Sequence, residues 1–440
     1  MTTGKIRRKV TQDFFKEKEL GQANWVCCET TFTTLAELGR HVNQLHVADL
    51  DRREQEELNQ LKEMEERQST LNKLRQRRGK KGTSDPITID CQCDPDEHKV
   101  ILFYQYVSIS DPVQFALHHQ TYCSSMHGKV RIAKEGINAT LAGPNKEIDR
   151  YLDWLTQTEA FKDMPEDLKI PQPLTDADSP RYRFFKPSKG CHHIFSELSI
   201  KVVDEICPLG QSSIVLDKLK DPKHKQKKLS PQDFHDLLSK HRQKEDFLLL
   251  DTRNYYESKI GHFDGAIKPA IRKFSQFPEF IDRNKEAMRG KKILTYCTGG
   301  IRCEKATAYM RHALPEDTEI FMLDGGIHNY LEWWDKERAK KDDASAIWQG
   351  KNYVFDARQS LGSSHTGIVS QCESCRKPWD QYRKCASNHC HLLILYCDAC
   401  APNSITAFCC SKCKESNEAC LCLCEERRRK EEYMPITVAS

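Results

Sequence analysis

One cysteine in this chain stands in the setting that makes a thiol reactive. Cys297 ends an apolar stretch at residues 293–296, two glycines and Arg302 follow it, and a helical pattern covers residues 304–311. Backbone N–H groups in a tight glycine loop bind anions, and the positive end of the next helix points at the same place. Because Arg302 adds its own charge, we expect a lowered pKa for Cys297 and a nucleophilic thiol at neutral pH.

The length of this loop narrows the chemistry. The predicted active-site loop consists of Cys297, Thr298, Gly299, Gly300, Ile301, Arg302 and Cys303. Its Cys-x4-Arg spacing suits one extra atom, such as a sulfane sulfur on the cysteine, better than the tetrahedral phosphate of a phosphatase. Cys303 either resolves a persulfide or disulfide, or starts the helix beneath the loop and is structural. The alternative for Cys297, an inert core thiol, is disfavoured by the glycines and Arg302.

The composition bounds the class of protein. The chain has 440 residues, of which 38% are hydrophobic and 30% charged, as in soluble domains joined by polar linkers. No apolar run has the length of a membrane span, and residues 1–18 lack the apolar core of a secretory signal. These features predict a cytoplasmic protein, with the nucleus as the alternative. In a reducing compartment the 21 cysteines should serve metal binding or catalysis and not disulfides.

Changes in composition and periodicity divide the chain into seven predicted segments. They are a degenerate zinc-finger-like segment (1–50), a charged helix with a basic linker (51–94), a ferredoxin-like domain (95–207), a second basic linker (208–228), an α/β domain around Cys297 (229–343), a cysteine-rich zinc-binding region (344–424) and a charged tail (425–440). In the α/β domain, residues 247–251 and 292–296 are continuous apolar runs. Such runs are typical of a doubly wound parallel sheet that is buried on both faces.

The N-terminal segment is similar in spacing to a zinc finger with two cysteines and two histidines. Twelve residues separate Cys28 from His41, and four separate His41 from His46. Cys27 adjoins Cys28, however, where such a finger has Cys-x2-Cys, and adjacent cysteines reach one ion only in a distorted hairpin. Two interpretations stay open: zinc held by this set, or a degenerate finger that keeps three ligands or none.

Residues 98–206 follow the order strand, helix, two strands, helix, strand, which is typical of a ferredoxin-like α+β sandwich. The long connection at residues 159–197 mixes basic residues with aromatics, a mixture that suits backbone contacts and base stacking on RNA. The candidate RNA contacts are Arg131, Lys134, Arg181, Arg183 and Lys186. Phe184 and Phe185 fit the domain's own core equally well.

The C-terminal region carries the strongest metal signal. Its spaced pairs are Cys372 with Cys375, Cys385 with Cys390, Cys397 with Cys400, and Cys410 with Cys413. Eight thiolates match two closed, structural zinc sites with four cysteines each. We expect the first pair to join the third and the second to join the fourth. Cys420, Cys422 and Cys424 fall outside the pairs as spare thiols, alternate ligands or redox-active groups, and of these we expect spare thiols.

Several of these motifs together resemble known families. Residues 247–257, 261–266 and 296–305 resemble the rhodanese signatures, and with residues 128–143, 325–327, 353–358 and the cysteine pairs the chain resembles the bacterial tRNA uridine hydroxylase family. The resemblance implies a rhodanese domain around Cys297 as the catalytic residue, and oxygen-dependent 5-hydroxylation of the wobble uridine in tRNA. No flavin or haem motif is visible, so no organic cofactor is expected.

Two hypotheses of function follow from these observations. The first is a rhodanese-type enzyme that uses a persulfide on Cys297 in sulfur transfer or uridine hydroxylation, with tRNA as partner and thiosulfate as a candidate sulfur donor. The second is a zinc-supported RNA- or protein-binding adaptor with an inactive rhodanese domain. The residues do not indicate an oligomeric state.

Overall fold

The computed structural model describes most of the chain and divides it into two compact units. The described residues are 3–21, 24–75, 89, 91–211, 214, 216–220, 227–241, 246–338, 347–363, 366–387, 390, 392–402, 407–415 and 422–436. The units are residues 1–76 and 77–440. Most of the basic run at residues 73–81, part of the second basic linker, and Cys420 lie outside the described residues. No helix within the described residues is long and apolar enough to cross a membrane.

The first unit is a small hairpin-and-helix fold. Its elements are α1 (Thr3–Glu17), β1 (Glu19–Gly21), β2 (Asn24–Cys27), β3 (Thr30–Phe32), α2 (Leu35–Leu45) and α3 (Val47–Arg75). Phe14, Trp25, Leu38 and Val42 form its buried core. Helix α3 is the charged helix that the sequence predicts, and ion pairs such as Arg53 with Glu17, at 2.8 Å, tie it to α1.

The second unit begins with the ferredoxin-like domain. Its elements are β4 (His98–Tyr106), α4 (Pro112–Tyr122), β5 (His127–Ala133), β6 (Gly136–Pro144), α5 (Asn145–Thr156), α6 (Glu166–Lys169), α7 (Pro180–Phe185), β7 (Ser188–Lys189) and β8 (Leu198–Val202). They form one sheet in the order β7-β4-β6-β5-β8. Asp111 caps α4 by accepting from the backbone N–H of Val113 and Gln114, both at 3.1 Å.

The last strand of this domain differs from the simple ferredoxin-like order. The short strand β7 lies beside β4, where the fourth strand of the sandwich is expected, and β8 adds to the opposite edge in parallel with β5. Phe185 explains this arrangement, because it is fully buried at 5.3 Å from Phe103 and brings the chain to the β4 edge. Lys186 then takes a left-handed φ of +46°, which ends α7 and turns the chain into β7. The interpretation of Phe185 as a core residue is confirmed.

The rhodanese domain is a doubly wound parallel sheet, as predicted. Its elements are α8 (Leu216–Lys220), β9 (Lys227–Leu229), α9 (Pro231–His241), β10 (Phe247–Asp251), α10 (Tyr255–Ile260), β11 (Gly261–Phe263), α11 (Phe277–Arg283), α12 (Lys285–Met288), β12 (Lys292–Tyr296), α13 (Ile301–Ala313), β13 (Glu319–Leu323) and α14 (Gly326–Arg338). The four parallel strands run in the order β10-β12-β13-β9. Alternate residues of β10 face opposite cores: Leu248 and Leu250 pack with α11 and α13, and Leu249 packs with α9 and α14.

The cysteine-rich region folds back onto the rhodanese domain. Its elements are β14 (Trp348–Gly350), β15 (Asn352–Tyr353), β16 (Ser360–Leu361), β17 (Tyr382–Lys384), β18 (Leu393–Leu395), α15 (Ser411–Glu415) and α16 (Leu423–Tyr433). Strand β14 pairs antiparallel with β11, and Trp348 enters the core beside Phe263. Farther along, Arg428 donates to the carbonyl of Ala270 at 2.7 Å. The region is therefore attached to the rhodanese domain at both of its ends.

Candidate active site

The loop after β12 has the backbone geometry of an anion cradle. Cys297 is fully buried, and the N–H of Gly300 donates to its Sγ at 3.1 Å. Gly300 has a φ of +103°, and a Cβ there would lie 2.8 Å from the Oη of Tyr104. Gly326 packs on the loop from another side, because its Cβ would lie 2.5 Å from the carbonyl oxygen of Cys297. Both positions therefore require glycine.

The thiol of Cys297 is the ionised member of a buried pair. Burial alone would raise its pKa, but hydrogen bonding from the Cys303 thiol, the charge of Arg302 and the N–H groups of residues 302 and 303 outweigh burial, so the pKa of Cys297 is lowered. The pKa of Cys303 is raised by its own burial and by the nearby Cys297. Cys303 therefore acts as a protonated donor to the thiolate at the start of α13.

Arg302 is held in place by a buried carboxylate that sequence analysis did not single out. Its two terminal nitrogens donate to the two oxygens of Glu257 at 2.6 and 2.7 Å. Thr298 joins this pair, because it accepts from Arg302 at 3.1 Å and donates to Glu257 at 3.3 Å. Glu257 is fully buried in α10. The arginine is therefore a fixed, compensated cation beside the cysteine and not a free charge.

A second buried ion pair fixes the segment that carries Glu257. Arg253 donates to Asp251 at 2.6 Å and to the carbonyl of Gly261 at 2.7 Å. Ser258 donates to the same carboxylate at 2.9 Å. Burial opposes ionisation of Asp251, but Arg253 outweighs it and lowers the pKa of the carboxyl. These bonds close the turn between β10 and β11 and so set the direction of α10.

A cavity of about 570 Å³ opens above the loop, a size that is typical of small-molecule sites. The ferredoxin-like domain, the active-site loop and the cysteine-rich region all line it. The lining residues used below are Tyr104, Lys129, Arg131, Tyr256, Thr298, Gly299, Ile301, Arg302, His328, Phe355 and Arg358. Cys297 lies beneath this lining. Because the wall combines cations with aromatic rings, it suits a nucleotide.

Part of the positive charge of the wall comes from the ferredoxin-like domain, and Arg272, Lys273, Arg302 and Arg358 supply the rest. Lys129 donates to the carbonyl of Phe355 at 2.6 Å, and Arg131 donates to the carbonyls of Val130 and Ser199 at 2.9 and 3.0 Å. These acceptors are neutral, whereas Arg358 shares its charge with Asp356 at 2.7 Å. Burial lowers the pKa of both Lys129 and Arg131.

The two domains are joined at the helix that follows the loop. Tyr104 donates to Glu304 at 2.8 Å, and Tyr106 donates to the carbonyl of Ile301 at 3.2 Å. One turn later the buried Lys305 donates to Glu135 at 2.9 Å and to Glu205 at 2.5 Å. Since α13 begins within the loop, the position of the ferredoxin-like domain and the position of the loop depend on each other.

The structure separates the five candidate RNA contacts. Arg131 lines the cavity above the loop, and Lys134 is exposed in the turn between β5 and β6. Arg183 and Lys186 line a neighbouring cavity of about 300 Å³ that shares Tyr104 with the first. Burial lowers the pKa of Lys186 to about 8. Lys186 is only 4% exposed, and its Nζ donates to the carbonyl of Phe184 at 3.0 Å, so this lysine is buried at the edge of its cavity.

Arg181 requires a correction. It is only 1% exposed, and it donates to Asp153 at 2.7 Å and to the carbonyl of Leu168 at 2.8 Å. These bonds hold the connection between α5 and β7 against the domain. The basic-aromatic pattern did not distinguish such a structural arginine from an exposed one, and we leave Arg181 out of the RNA surface proposed below.

Sequence analysis also missed His328 at the start of α14. Its imidazole is partly buried and lines the cavity, and burial together with the charges of Lys186 and Arg358 lowers its pKa to about 3. Its Nε2 has no hydrogen-bond partner among the described residues. His328 therefore presents a neutral ring to the cavity. Its position directly after the Gly-Gly-Ile motif at residues 325–327 was the sequence feature that could have marked it as a candidate site residue.

The predicted N-terminal set comes together in the first unit. The donor atoms of Cys27, Cys28, His41 and His46 all lie within 4.8 Å of one another. The Nε2 of His46 is 3.3 Å from the Sγ of Cys27 and 3.2 Å from that of Cys28. Cys28 and Glu29 both have positive φ, of +50° and +61°. This is the distorted hairpin that lets adjacent cysteines face one point.

The structure brings the C-terminal cysteines together in two places. Cys372, Cys375, Cys397 and Cys400 form one group that could hold a metal ion, which agrees with the expected pairing of the first pair with the third. The second pair lies in a group with Cys409 and Cys413, whereas Cys410 and Cys413 lie in a group with Cys409 and Cys422, so Cys409 takes the place that was expected for Cys410 beside the second pair. The Sγ atoms of Cys409 and Cys413 lie 3.4 Å apart across the first turn of α15.

Two of the cysteines that were predicted to be spare also lie at this second group. A further set joins Cys409, Cys410 and Cys413 to Cys422. Cys424 donates to the carbonyl of Cys409 at 3.0 Å.

Comparison with known protein families covers most of the second unit. The UPF0176 acylphosphatase like domain matches residues 98–206, the rhodanese-like domain matches residues 230–332, and the rhodanase C-terminal family matches residues 349–426. The first match is the ferredoxin-like domain, and the second contains the whole Cys297 loop.

Comparison with curated proteins gives relatives of the same architecture. A tRNA uridine(34) hydroxylase of Bacillus licheniformis is 33% identical over 305 residues, which are 68% of this chain and 83% of the relative. One from Staphylococcus aureus is 34% identical over 303 residues, 68% of this chain and 84% of the relative. Rhodanese-like domain-containing protein 6 of Arabidopsis thaliana is 33% identical over 322 residues, and the chain spans 51% of its length. The chain thus belongs to the tRNA uridine(34) hydroxylase family.

Proposed function

We propose that this protein hydroxylates a uridine of tRNA, with Cys297 as the catalytic nucleophile. The observation that carries the proposal is a thiol of lowered pKa beneath a cavity with cationic and aromatic walls. The printed names of the bacterial relatives support uridine 34, the wobble position, as the target. The oxidant is dioxygen in this proposal, as the family resemblance implies: one oxygen atom replaces the C5 hydrogen as a hydroxyl group, and two electrons from an external dithiol, which becomes a disulfide, reduce the other atom to water.

The cavity walls suit an unstacked nucleotide. Tyr104, Tyr256 and Phe355 offer ring faces, and the side chain of Phe355 is 47% exposed at the cavity. Single-stranded loops of RNA are recognised through bases that are splayed out and stacked on such rings. Lys129 and Arg131 would meet the phosphates beside the base, because their charges face neutral carbonyl groups. Position 34 lies in a loop of tRNA, so the base can leave its stack at modest cost.

A persulfide on Cys297 is the second candidate chemistry. The thiolate would attack the outer sulfur of thiosulfate, the S–S bond of thiosulfate would break, and sulfite would leave with the bonding electrons. The short loop supports this step, since the N–H of Gly300 already contacts Sγ. An added sulfur extends the reactive group by about 2 Å from beneath the cavity lining.

Replacement of Cys297 tests the proposed enzyme. We expect Cys297→Ala to lower uridine hydroxylation by at least about a hundredfold, because a covalent nucleophile cannot be replaced by a methyl group. The measurement is mass spectrometry of tRNA nucleosides from cells that lack the native protein and express each variant. Cys123→Ala is the matched control, since Cys123 is a fully buried cysteine elsewhere whose pKa is raised by burial.

The same preparations distinguish the candidate reactions. Gain of one oxygen by the nucleoside supports hydroxylation, and exchange of oxygen for sulfur supports sulfur transfer. Turnover of thiosulfate with cyanide tests persulfide formation directly. Unchanged nucleosides after loss of the wild-type protein, combined with retained tRNA binding, would favour the adaptor hypothesis.

Alkylation tests the ionisation of Cys297. For a thiol with an ordinary pKa of about 8.5, the alkylation rate at a pH below 8.5 rises about tenfold with each increase of one pH unit, because the thiolate fraction does. A thiol with a lowered pKa is already ionised at pH values above that pKa. The rate at which iodoacetamide alkylates Cys297 should therefore change little between about pH 6.5 and pH 8. Peptide mass spectrometry of the zinc-loaded protein follows the label at Cys297.

Cys303→Ala supplies the comparison for that experiment. The variant removes a hydrogen-bond donor to the thiolate, so the pKa of Cys297 should rise and the profile should move to higher pH. A tenfold rise per pH unit in the wild-type protein would contradict the proposed thiolate.

We also propose structural zinc at the predicted cysteine groups. Four ligands at Zn–S distances of about 2.3 Å place neighbouring sulfurs about 3.8 Å apart in a tetrahedron. The Sγ atoms of Cys375 and Cys397 are 3.6 Å apart, and Cys372 accepts from the N–H of Cys397 at 3.4 Å. The N-terminal set, with its soft donors gathered in a hairpin, supports the same ion.

Native mass spectrometry of the full chain counts these ions. Cys400→Ser should remove one zinc from the C-terminal region, and His46→Ala should remove one from the first unit, because each leaves an incomplete tetrahedron. Chelation should lower the melting temperature of the wild-type protein. Equal zinc content in both variants and the wild type would overturn the assignment.

A further inference from the structure

We propose a further zinc site formed by Cys91 and Cys93, just before the ferredoxin-like domain, and Cys191 and His193 within it. Their four donor atoms all lie within 4.8 Å of one another. The Sγ atoms of Cys91 and Cys191 are 3.4 Å apart, and the Nδ1 of His193 is 3.4 Å from Cys93 and 3.5 Å from Cys191. These separations are close to the edges of about 3.5 to 3.8 Å in a tetrahedral zinc site with sulfur and nitrogen ligands.

The donor set selects the kind of ion. Three thiolates and one imidazole are soft ligands that favour zinc over calcium or magnesium, and four protein ligands close the coordination shell. The site is therefore structural. Its halves are Cys-x-Cys and Cys-x-His, 100 residues apart, and the fold alone brings them together.

The segments that carry the four donors are held in place by other contacts. Cys191 is buried, and it precedes the short helical turn His192–Ile194. Gly190 has a φ of +150°, and a Cβ there would lie 2.9 Å from Val100. Lys189 and Asp96 form an ion pair at 3.4 Å that joins the same two segments.

A disulfide explains the geometry less well. A bond between Cys91 and Cys191 would need an S–S distance of about 2.05 Å, and it would leave Cys93 and His193 facing each other without a function. A metal ion uses all four donors.

The ion would stabilise one wall of the active-site cavity. Strand β7 pairs with β4 through Lys189 and Ser188 alone, so its own hydrogen bonds hold it weakly. Arg358 donates to Ser188 at 3.0 Å and to the carbonyl of Lys189 at 2.7 Å, and both Ser188 and Arg358 line the cavity. The metal would therefore fix the strand on which the cysteine-rich region docks.

Metal counting on neighbouring histidines tests the site. We expect His193→Ala to lose one zinc per chain by native mass spectrometry of the full protein. His192→Ala should keep the wild-type content, because the His192 ring lies 4.0 Å from that of His193, tilted by 35°, and is not in the donor set. Hydrogen exchange should rise at residues 188–194 in the first variant only. Zinc lost in neither variant, or a disulfide between Cys91 and Cys191 in protein alkylated during anaerobic lysis, would overturn the proposal.

We also infer that the second C-terminal group binds two metal ions bridged by shared thiolates, which extends the zinc proposed there. One donor set contains Cys385 and Cys390, the other contains Cys410 and Cys422, and Cys409 and Cys413 belong to both. The Sγ of Cys409 is 3.7 Å from that of Cys390, 3.9 Å from that of Cys410 and 3.6 Å from that of Cys422, and the Sγ atoms of Cys390 and Cys422 are themselves 3.8 Å apart.

A backbone N–H group contacts the second half of this cluster. Cys422 is the N-cap of α16, and its Sγ accepts from the N–H of Glu425 at 3.4 Å. A thiolate sulfur can bind two ions at once, so six cysteines suffice for two tetrahedral sites.

Removal of Cys410 and Cys422, the two ligands that the second donor set does not share with the first, distinguishes two bound ions from one. The double variant Cys410→Ser and Cys422→Ser should lose one zinc and keep the other, whereas Cys424→Ser should keep both. In cadmium-substituted protein, NMR should show coupling between two cadmium nuclei through the shared sulfurs. Full zinc content in the double variant would contradict the bridged cluster and leave a single four-cysteine site.

Discussion

Two acidic groups depend on one buried cation in the rhodanese domain. Glu257 and Cys297 are both fully buried, and Arg302 offsets the negative charge of each. A buried charge without a partner costs several kcal/mol, and breaking a buried pair typically costs about 3–5 kcal/mol. The bidentate bond to Glu257 thus does more than neutralise Arg302. It keeps the guanidinium at a set place, where its field favours the thiolate without a direct ion pair that would block the sulfur.

The rest of the second unit serves this arrangement through successive contacts. The Asp251–Arg253 pair sets the turn that carries Glu257, and Gly326 lets β13 approach the back of the loop. In front, Tyr104 and Lys305 join the loop helix to the ferredoxin-like domain. A displacement of that domain would therefore alter both the cavity and the hydrogen bonds around Cys297. Binding of substrate and activation of the thiol share one framework.

Local signals in the sequence predicted the features that are encoded over a few residues. The glycines after Cys297, the apolar runs of the parallel sheet and the group of Cys372, Cys375, Cys397 and Cys400 are such features, and each lies where it was expected. Glu257 was not singled out, because its role comes from Arg302, 45 residues away. The group at Cys91 and Cys191 was missed for the same reason. Arg181 was misjudged because a basic residue among aromatics can face either the core or the solvent.

The pairing of β14 with β11 has a consequence for how this architecture can evolve. Trp348, from the cysteine-rich region, fills part of the rhodanese core, and Phe355 and Arg358 of the same region line the cavity. Cys297 and part of the cavity wall beside it therefore come from different stretches of polypeptide. A lineage that lost the C-terminal segment would keep Cys297 but lose part of the cavity wall and part of the rhodanese core, so selection should preserve the three parts as one block.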